Sequence, residues 1–107
     1  MSRIEEELPA GAIPNFDVDR GQEVVFVTAD GRLDTWRAPY CGKKTFIAPK
    51  FRATREELKA LEQQVTARVP KGSTLRVLRC ETADADGREE WTVHAPVEHS
   101  SPMLAGD

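Results

Sequence analysis

Four side chains in this sequence have the chemistry to bind a soft metal ion or to act as a nucleophile with its base: Cys41, Cys80, His94 and His99. Their spacing argues against a metal. Structural zinc usually starts from a close pair such as C-x2-4-C, because one turn has to present two ligands to one ion. Here the two cysteines are far apart, and iron–sulfur clusters generally want four. No metal and no cofactor is therefore expected. Cys41 is followed by Gly42, Lys43 and Lys44, and nearby positive charge favours a thiolate. His94 would be a base for it if the fold brought the two together, but nothing in the spacing does so. The preferred reading is a half-buried thiol in a basic loop. A Cys41–Cys80 bridge is open to the sequence, and two reduced thiols are the expected state for a chain read as cytoplasmic.

Acid–base catalysis fares no better. The carboxylates cluster as Glu5-Glu6-Glu7, Glu56-Glu57, Asp84/Asp86 and Glu89-Glu90. Those places read as a terminus, a helix start and turns, where solvated or capping carboxylates belong. The seven glycines are dispersed, and Cys41-Gly42-Lys43-Lys44 lacks the spacing of a phosphate-binding loop. An enzyme is not expected.

The charge distribution carries more information. Seven basic residues and one acid between Arg32 and Arg55 give that stretch +6; the eight basic and seventeen acidic residues elsewhere give −9. Four of the seven aromatic residues, Trp36, Tyr40, Phe46 and Phe51, lie in the same basic stretch. Cations neutralise phosphates and aromatic faces stack on bases, so Arg32–Arg55 has the ingredients of a surface for nucleic acid or another polyanion. The competing expectation is that the aromatics fill the core and the cations pair with the acidic ends. An overall acidic balance, with a pI near 5.4, also argues against a dedicated nucleic-acid protein. The leading expectation is thus a small non-enzymatic binding module that engages a protein partner or itself, as a possible dimer. Its contact would be the Trp36–Phe51 segment or a sheet edge such as Phe16–Val18, with nucleic acid or polyanion binding as the alternative. The candidate binding residues are Trp36, Arg37, Tyr40, Lys43, Lys44, Lys50 and Arg52.

The elements that must position these residues follow from local patterns. Glu23–Thr28 is rich in β-branched and aromatic residues and predicts a mostly buried strand. Ala29-Asp30-Gly31-Arg32 predicts a hairpin turn, with the return strand over Leu33–Ala38 and Pro39 ending it. Thr45–Ala48 reads as a short third strand or an ordered loop. Thr54 with Glu57 forms a capping box, opening a helix that runs to Val69 and presents Leu58, Leu61, Val65 and Val69 on one face. Lys59, Glu62, Gln63 and Thr66 fall on the other side, and Pro70 and Gly72 stop the helix. Ser73–Thr82 alternates as a strand, Ala85-Asp86-Gly87-Arg88 repeats the earlier turn, and Glu89–Ala95 returns with Trp91 and Val93 on one face before Pro96. The repetition of Ala-Asp-Gly-Arg, Trp and Ala-Pro reads either as shared turn chemistry or as a duplicated hairpin.

The result is an α+β domain of ββαββ order, one helix on a four- to five-stranded mixed or antiparallel sheet. The element order resembles a β-grasp layout, in which the outer hairpins bring the first and last strands together in the middle. An antiparallel roll with Thr45–Ala48 as an added strand is the alternative. The 107 residues suit a single domain, with an ordered core at about 16–96 and mobile ends. No apolar stretch reaches the roughly 20 residues needed to span a bilayer, and Met1–Leu8 lacks the apolar core of a secretory signal.

Overall fold

The computed structural model describes residues 2–42, 44–81 and 84–97. Its strands are β1 (Ser2–Glu7), β2 (Asn15–Asp17), β3 (Glu23–Val27), β4 (Leu33–Arg37), β5 (Thr45–Ile47), β6 (Phe51–Ala53), β7 (Thr74–Glu81) and β8 (Glu89–Val97), with the helix α1 (Arg55–Arg68) between β6 and β7. The fold is α+β, with one helix on a mixed six-stranded sheet of order β1-β7-β8-β3-β4, to which β6 is added along β8. The two hairpins supply β3, β4, β7 and β8. Their inner strands β3 and β8 meet in the middle of the sheet, and they do so antiparallel, from Glu23 opposite Val97 to Phe26 opposite His94. The first and last strands of the two hairpins thus meet in the middle, as in the β-grasp order, while Thr45–Ile47 pairs with β2 in a separate ribbon rather than adding a strand to this sheet.

Both Ala-Asp-Gly-Arg segments form three-residue hairpin loops closed in the same way. Thr28 and Arg32 bracket one, and Asp84 and Arg88 the other. In each, a side-chain oxygen of the first bracket residue accepts from the arginine amide: Thr28 Oγ1 at 3.0 Å and Asp84 Oδ1 at 3.1 Å. Gly31 and Gly87 take φ of +80° and +76°, a conformation glycine adopts without steric penalty. The two tryptophans then part company. Trp36 lies one residue further from its turn than Trp91, and a strand alternates faces residue by residue, so Trp91 joins the core under the helix while Trp36 points to the opposite face.

The helix forms as its pattern requires. Thr54 Oγ1 accepts the Glu57 amide at 3.2 Å and the Glu57 carboxylate accepts the Thr54 amide at 2.9 Å. Leu58 and Val65 are fully buried, and Leu61 and Val69 pack beside them. This face closes over Val25, Val27, Leu75, Val77, Trp91, Val93 and Ala95; each large side chain so buried contributes about 1.5–3 kcal/mol. Trp91 also donates its indole N–H to the Ala53 carbonyl at 3.3 Å. Glu62 departs from its expected solvent side. It is 8% exposed, because Arg3 of β1 clamps its carboxylate with Nε at 2.5 Å and Nη2 at 3.1 Å.

Four further features differ from the sequence reading. Ser2–Glu7, outside the expected core, is an edge strand parallel to β7; with Ile4 as its single apolar residue it carries charges in place of an apolar alternation. β6 is a strand in its own right, lying against β8 from Phe51 opposite Trp91 to Ala53 opposite Glu89. Pro96 does not end the last strand: the β7 ladder stops at the Arg76–His94 pair, so a residue lacking an amide is accommodated beyond it. Glu89, read as a solvated carboxylate, is 9% exposed and held between Arg55 and Arg79. The mobile tail expected beyond Val97 lies outside the described residues.

A chain of alternating charges ties these pieces together on the helix side. Glu62 meets Arg3, Arg3 meets Glu5, Glu5 meets Arg55, Arg55 meets Glu89, Glu89 meets Arg79, and Arg79 meets Glu7. The network spans α1, β1, β7 and β8, and the Arg55 guanidinium lies 4.9 Å from the centre of the Trp91 ring. Arg3 holds the Glu5 carboxyl below the usual carboxylate range by hydrogen bonding to its charged form, and burial only partly opposes this.

Candidate functional site

The second face of the sheet is covered by the small ribbon of β2 and β5, paired antiparallel with Phe16 opposite Phe46. The edge expected at Phe16–Val18 is therefore engaged by Thr45–Ile47. Phe46, Val24 and Ala48 form a small buried cluster here, with Phe16, Val18, Phe26 and Trp36 packed against it. The ring centres of Phe26 and Trp36 lie 5.1 and 5.4 Å from that of Phe46. The aromatic part of the basic stretch is thus largely internal: Trp36 is half-buried, and Phe46 and Phe51 are buried.

Its cations are largely engaged within the chain. Arg37 pairs with Glu23 at 3.3 Å and Lys50 with Glu90 at 4.0 Å. Arg52 reaches Glu81 at 3.3 Å and Asp84 at 3.4 Å, and donates to the Arg88 carbonyl. Arg55 joins the network described above. Lys44 donates its ammonium to the Gly42 carbonyl at 3.4 Å, and Lys43 lies outside the described residues. Tyr40 differs from the other aromatics in being 60% exposed. Of the six described candidates, Arg37, Lys50 and Arg52 thus have carboxylate partners within the chain. Beside polar residues such as Asn15, Asp17 and Thr45, the lobe exposes two isoleucines: Ile47 on the outward side of β5 and Ile13 on the chain entering β2, at 61% and 65%.

Between the ribbon and the sheet lies a cleft of about 290 Å³. Phe16, Val18, Val24, Phe46 and Pro96 form its apolar walls, and Asp17, Asp19 and Gln22 also line it. Arg76 and His94, cross-strand partners on β7 and β8, line it from the main sheet. His94 is 4% exposed, with its ring centre 4.3 Å from that of Phe16 and 5.8 Å from that of Phe46. Burial, assisted by the neighbouring Arg76 charge, pushes its pKa down to about 4, so the imidazole is neutral at pH 7. The Arg76 guanidinium stacks 4.9 Å from the Phe16 ring centre and pairs through Nη2 with Glu6 at 2.7 Å. His94 Nδ1 and Arg76 Nε are both buried with no hydrogen-bond partner among the described residues.

Sequence reasoning considered His94 only as a base or a metal ligand and passed over Arg76. The signal available was the alternation of β7 and β8, which puts Arg76, Thr92 and His94 on the face opposite the helix. Cys41, read as a half-buried thiol, is instead an exposed free thiol, and it is not among the residues lining the cleft. Cys80 is a buried free thiol whose pKa is raised by burial. No grouping of three or more His, Cys, Asp and Glu side chains suited to a metal ion occurs among the described residues. No described helix is long and apolar enough to cross a membrane. Comparison with known proteins finds no matching family model, no matching curated protein and no matching solved structure.

Proposed function

We propose that this protein is a non-enzymatic binding module whose partner is a second copy of itself, docked through the outer edge of β5. The observation that carries the reading is the open edge of β5 beside Ile47. Among the described residues, β5 has β2 on one side and no strand on the other. The bonds from Val18 N–H to the Lys44 carbonyl and from Ala48 N–H to the Pro14 carbonyl fix the alternation of the ladder. The backbone groups of Phe46 point to β2, and those of Thr45 and Ile47 point away from it.

An antiparallel twofold centred on Phe46 sets Thr45 of each copy against Ile47 of the other. Each then exchanges N–H and C=O with its partner, and both isoleucines are covered. Such pairing is self-complementary, as a closed dimer requires, and an unpaired edge favours it. Nucleic-acid or polyanion binding through Arg32–Arg55 has weaker support, because Arg37, Lys50, Arg52 and Arg55 already have carboxylate partners.

Sedimentation equilibrium over a wide concentration range tests the reading. A reversible dimer is expected for the wild type. Ile47→Asp should abolish it, and so should Thr45→Pro, which removes an outward amide and leaves the β2 ladder untouched. A wild type that stays monomeric at millimolar concentration overturns the proposal, as does a dimer indifferent to both substitutions.

A further inference from the structure

We propose that the Asp34 carboxylate closes the β4 edge of the main sheet to strand pairing, and so confines self-association to β5. The choice of β5 rests on the reading above; the closure of β4 does not.

Topology sets the problem. β4 is the last strand at its end of the main sheet, and among the described residues no strand lies beyond it. The bonds from Thr28 N–H to the Arg32 carbonyl and from Ala38 N–H to the Gln22 carbonyl fix the ladder between β3 and β4. The backbone groups of Asp34 and Trp36 therefore face β3, and those of Leu33, Thr35 and Arg37 face outward. A row of outward groups is a template for another strand. Leu33 and Trp36, both only partly buried, add apolar surface to it. At the other end of the sheet, β1 carries Arg3, Glu5, Glu6 and Glu7, and such charges discourage pairing.

On β4 the central outward amide is already taken. Thr35 N–H donates to Asp34 Oδ1 at 2.8 Å. That amide faces away from β3, so the carboxylate oxygen accepting from it lies on the open edge. An approaching strand would offer a carbonyl oxygen to the same amide and meet a second acceptor there, which cannot donate in return. Pairing then requires the Asp34 bond to break. A twofold pairing of two β4 strands centred on Thr35 would lose both of its central bonds for this reason.

The β5 edge is different. Among the described residues, no side chain accepts from the outward amides of Thr45 and Ile47. The Thr45 hydroxyl turns instead to Asp17 on β2, donating to Oδ1 at 3.3 Å. The two edges thus differ in whether a side chain occupies the outward amide.

The test is made in the Ile47→Asp background by sedimentation equilibrium. Each Asp34 variant is compared with Ile47→Asp alone, so a failure of the β5 reading shows in the background and leaves the comparison intact. Asp34→Ala removes the acceptor and the charge, whereas Asp34→Asn removes the charge and keeps an oxygen that can accept. Asp34→Ala should tighten association by at least about tenfold, the scale of the bonds it frees, and Asp34→Asn should match the background. Adding Thr35→Pro, which deletes the freed amide and spares the β3 ladder, should cancel the gain. In Ile47→Asp itself the Thr35 amide proton resonance should follow the titration of the Asp34 carboxyl, a readout that survives if a variant fails to fold. The proposal is overturned if Asp34→Ala leaves association unchanged, if Asp34→Asn associates as tightly as Asp34→Ala, if the gain survives Thr35→Pro, or if the Thr35 resonance ignores Asp34.

Discussion

The imidazole of His94 and the phenyl ring of Phe16 lie with their centres 4.3 Å apart and their planes inclined at 36°. Through this contact the β2–β5 ribbon closes on the main sheet, and it removes a titratable ring from water. The groups facing that ring are the Arg76 guanidinium from β7 and, at the cleft lining, Asp17 and Asp19. Stability should respond to pH accordingly. Below the ordinary histidine value near 6.5, the unfolded chain binds a proton that folded His94 refuses, so stability falls with pH until about 4, where the folded ring protonates too. The full effect is about 3 kcal/mol. Carboxylates held low in the fold, such as Glu5 and Asp84, act at lower pH, so the upper part of the window isolates the histidine. Urea unfolding between pH 7 and 5 should show a decline in wild type that His94→Phe removes; an unchanged slope in the variant would exclude His94 as its source.

The Arg55–Glu89 pair should be worth more than an ordinary surface ion pair. The Glu89 side chain is 12% exposed and is shared with Arg79, and Arg55 also stacks on Trp91. Exposed pairs rarely exceed about 1 kcal/mol, and Arg32 with Asp30, at 83% and 68% exposure, belongs to that class. A double-mutant cycle on Arg55→Ala and Glu89→Ala should give a coupling of about 1 kcal/mol or more, and the same cycle on Arg32 and Asp30 a value near zero. Glu89→Ala alone should cost about 1–3 kcal/mol, because it leaves two guanidinium groups short of a partner. Equal couplings in the two cycles would mean that the network adds nothing to its separate pairs.

Where local chemistry decided the outcome, the residues announced it. Thr54 and Glu57 cap the helix from within four residues, and Asp-Gly turns closed both hairpins because the left-handed φ of the glycine is a local requirement. β1 was not legible, since Arg3, Glu5 and Glu7 become a strand only when Glu62, Arg55 and Arg79 arrive from distant parts of the chain. Glu62 is buried for the same reason. Candidate cations such as Arg37 and Arg52 could be listed from the sequence, but their carboxylate partners are set by sheet register. The cleft was hidden too: His94 and Arg76 become neighbours only through the β7–β8 pairing, and the ribbon over them joins two segments, around Phe16 and Phe46, that no local pattern connects.

The two cysteines should report their environments directly. Cys41 is exposed, while Cys80 is 8% exposed and its thiol is pushed up by burial. The thiolate is the reactive form, so a disulfide-exchange reagent on the native protein should label one thiol rapidly and the second only as the chain unfolds. Cys41→Ser should remove the fast phase. In denaturant without reductant both thiols should titrate, as two free cysteines require; failure to find them would mean that the thiols are oxidised.

Gly21 and Tyr40 offer a test of backbone conformation apart from packing. Gly21 has φ of +73°, and a Cβ there would come within 2.9 Å of the Tyr40 hydroxyl oxygen. Gly31 has φ of +80° with open space around it. A left-handed φ costs a non-glycine residue about 1–2 kcal/mol, so both glycine-to-alanine substitutions should lower stability by about that much. The Tyr40 contact should add little, because the ring is 60% exposed and free to swing outward. Its movement should still be visible: the ring resonances of the chain's single tyrosine should shift in Gly21→Ala and stay in place in Gly31→Ala. If Gly21→Ala is markedly the more damaging, and Tyr40→Ala restores the difference, the ring is held more firmly than its exposure implies and forms part of the support for the Ala38–Gly21 backbone bond.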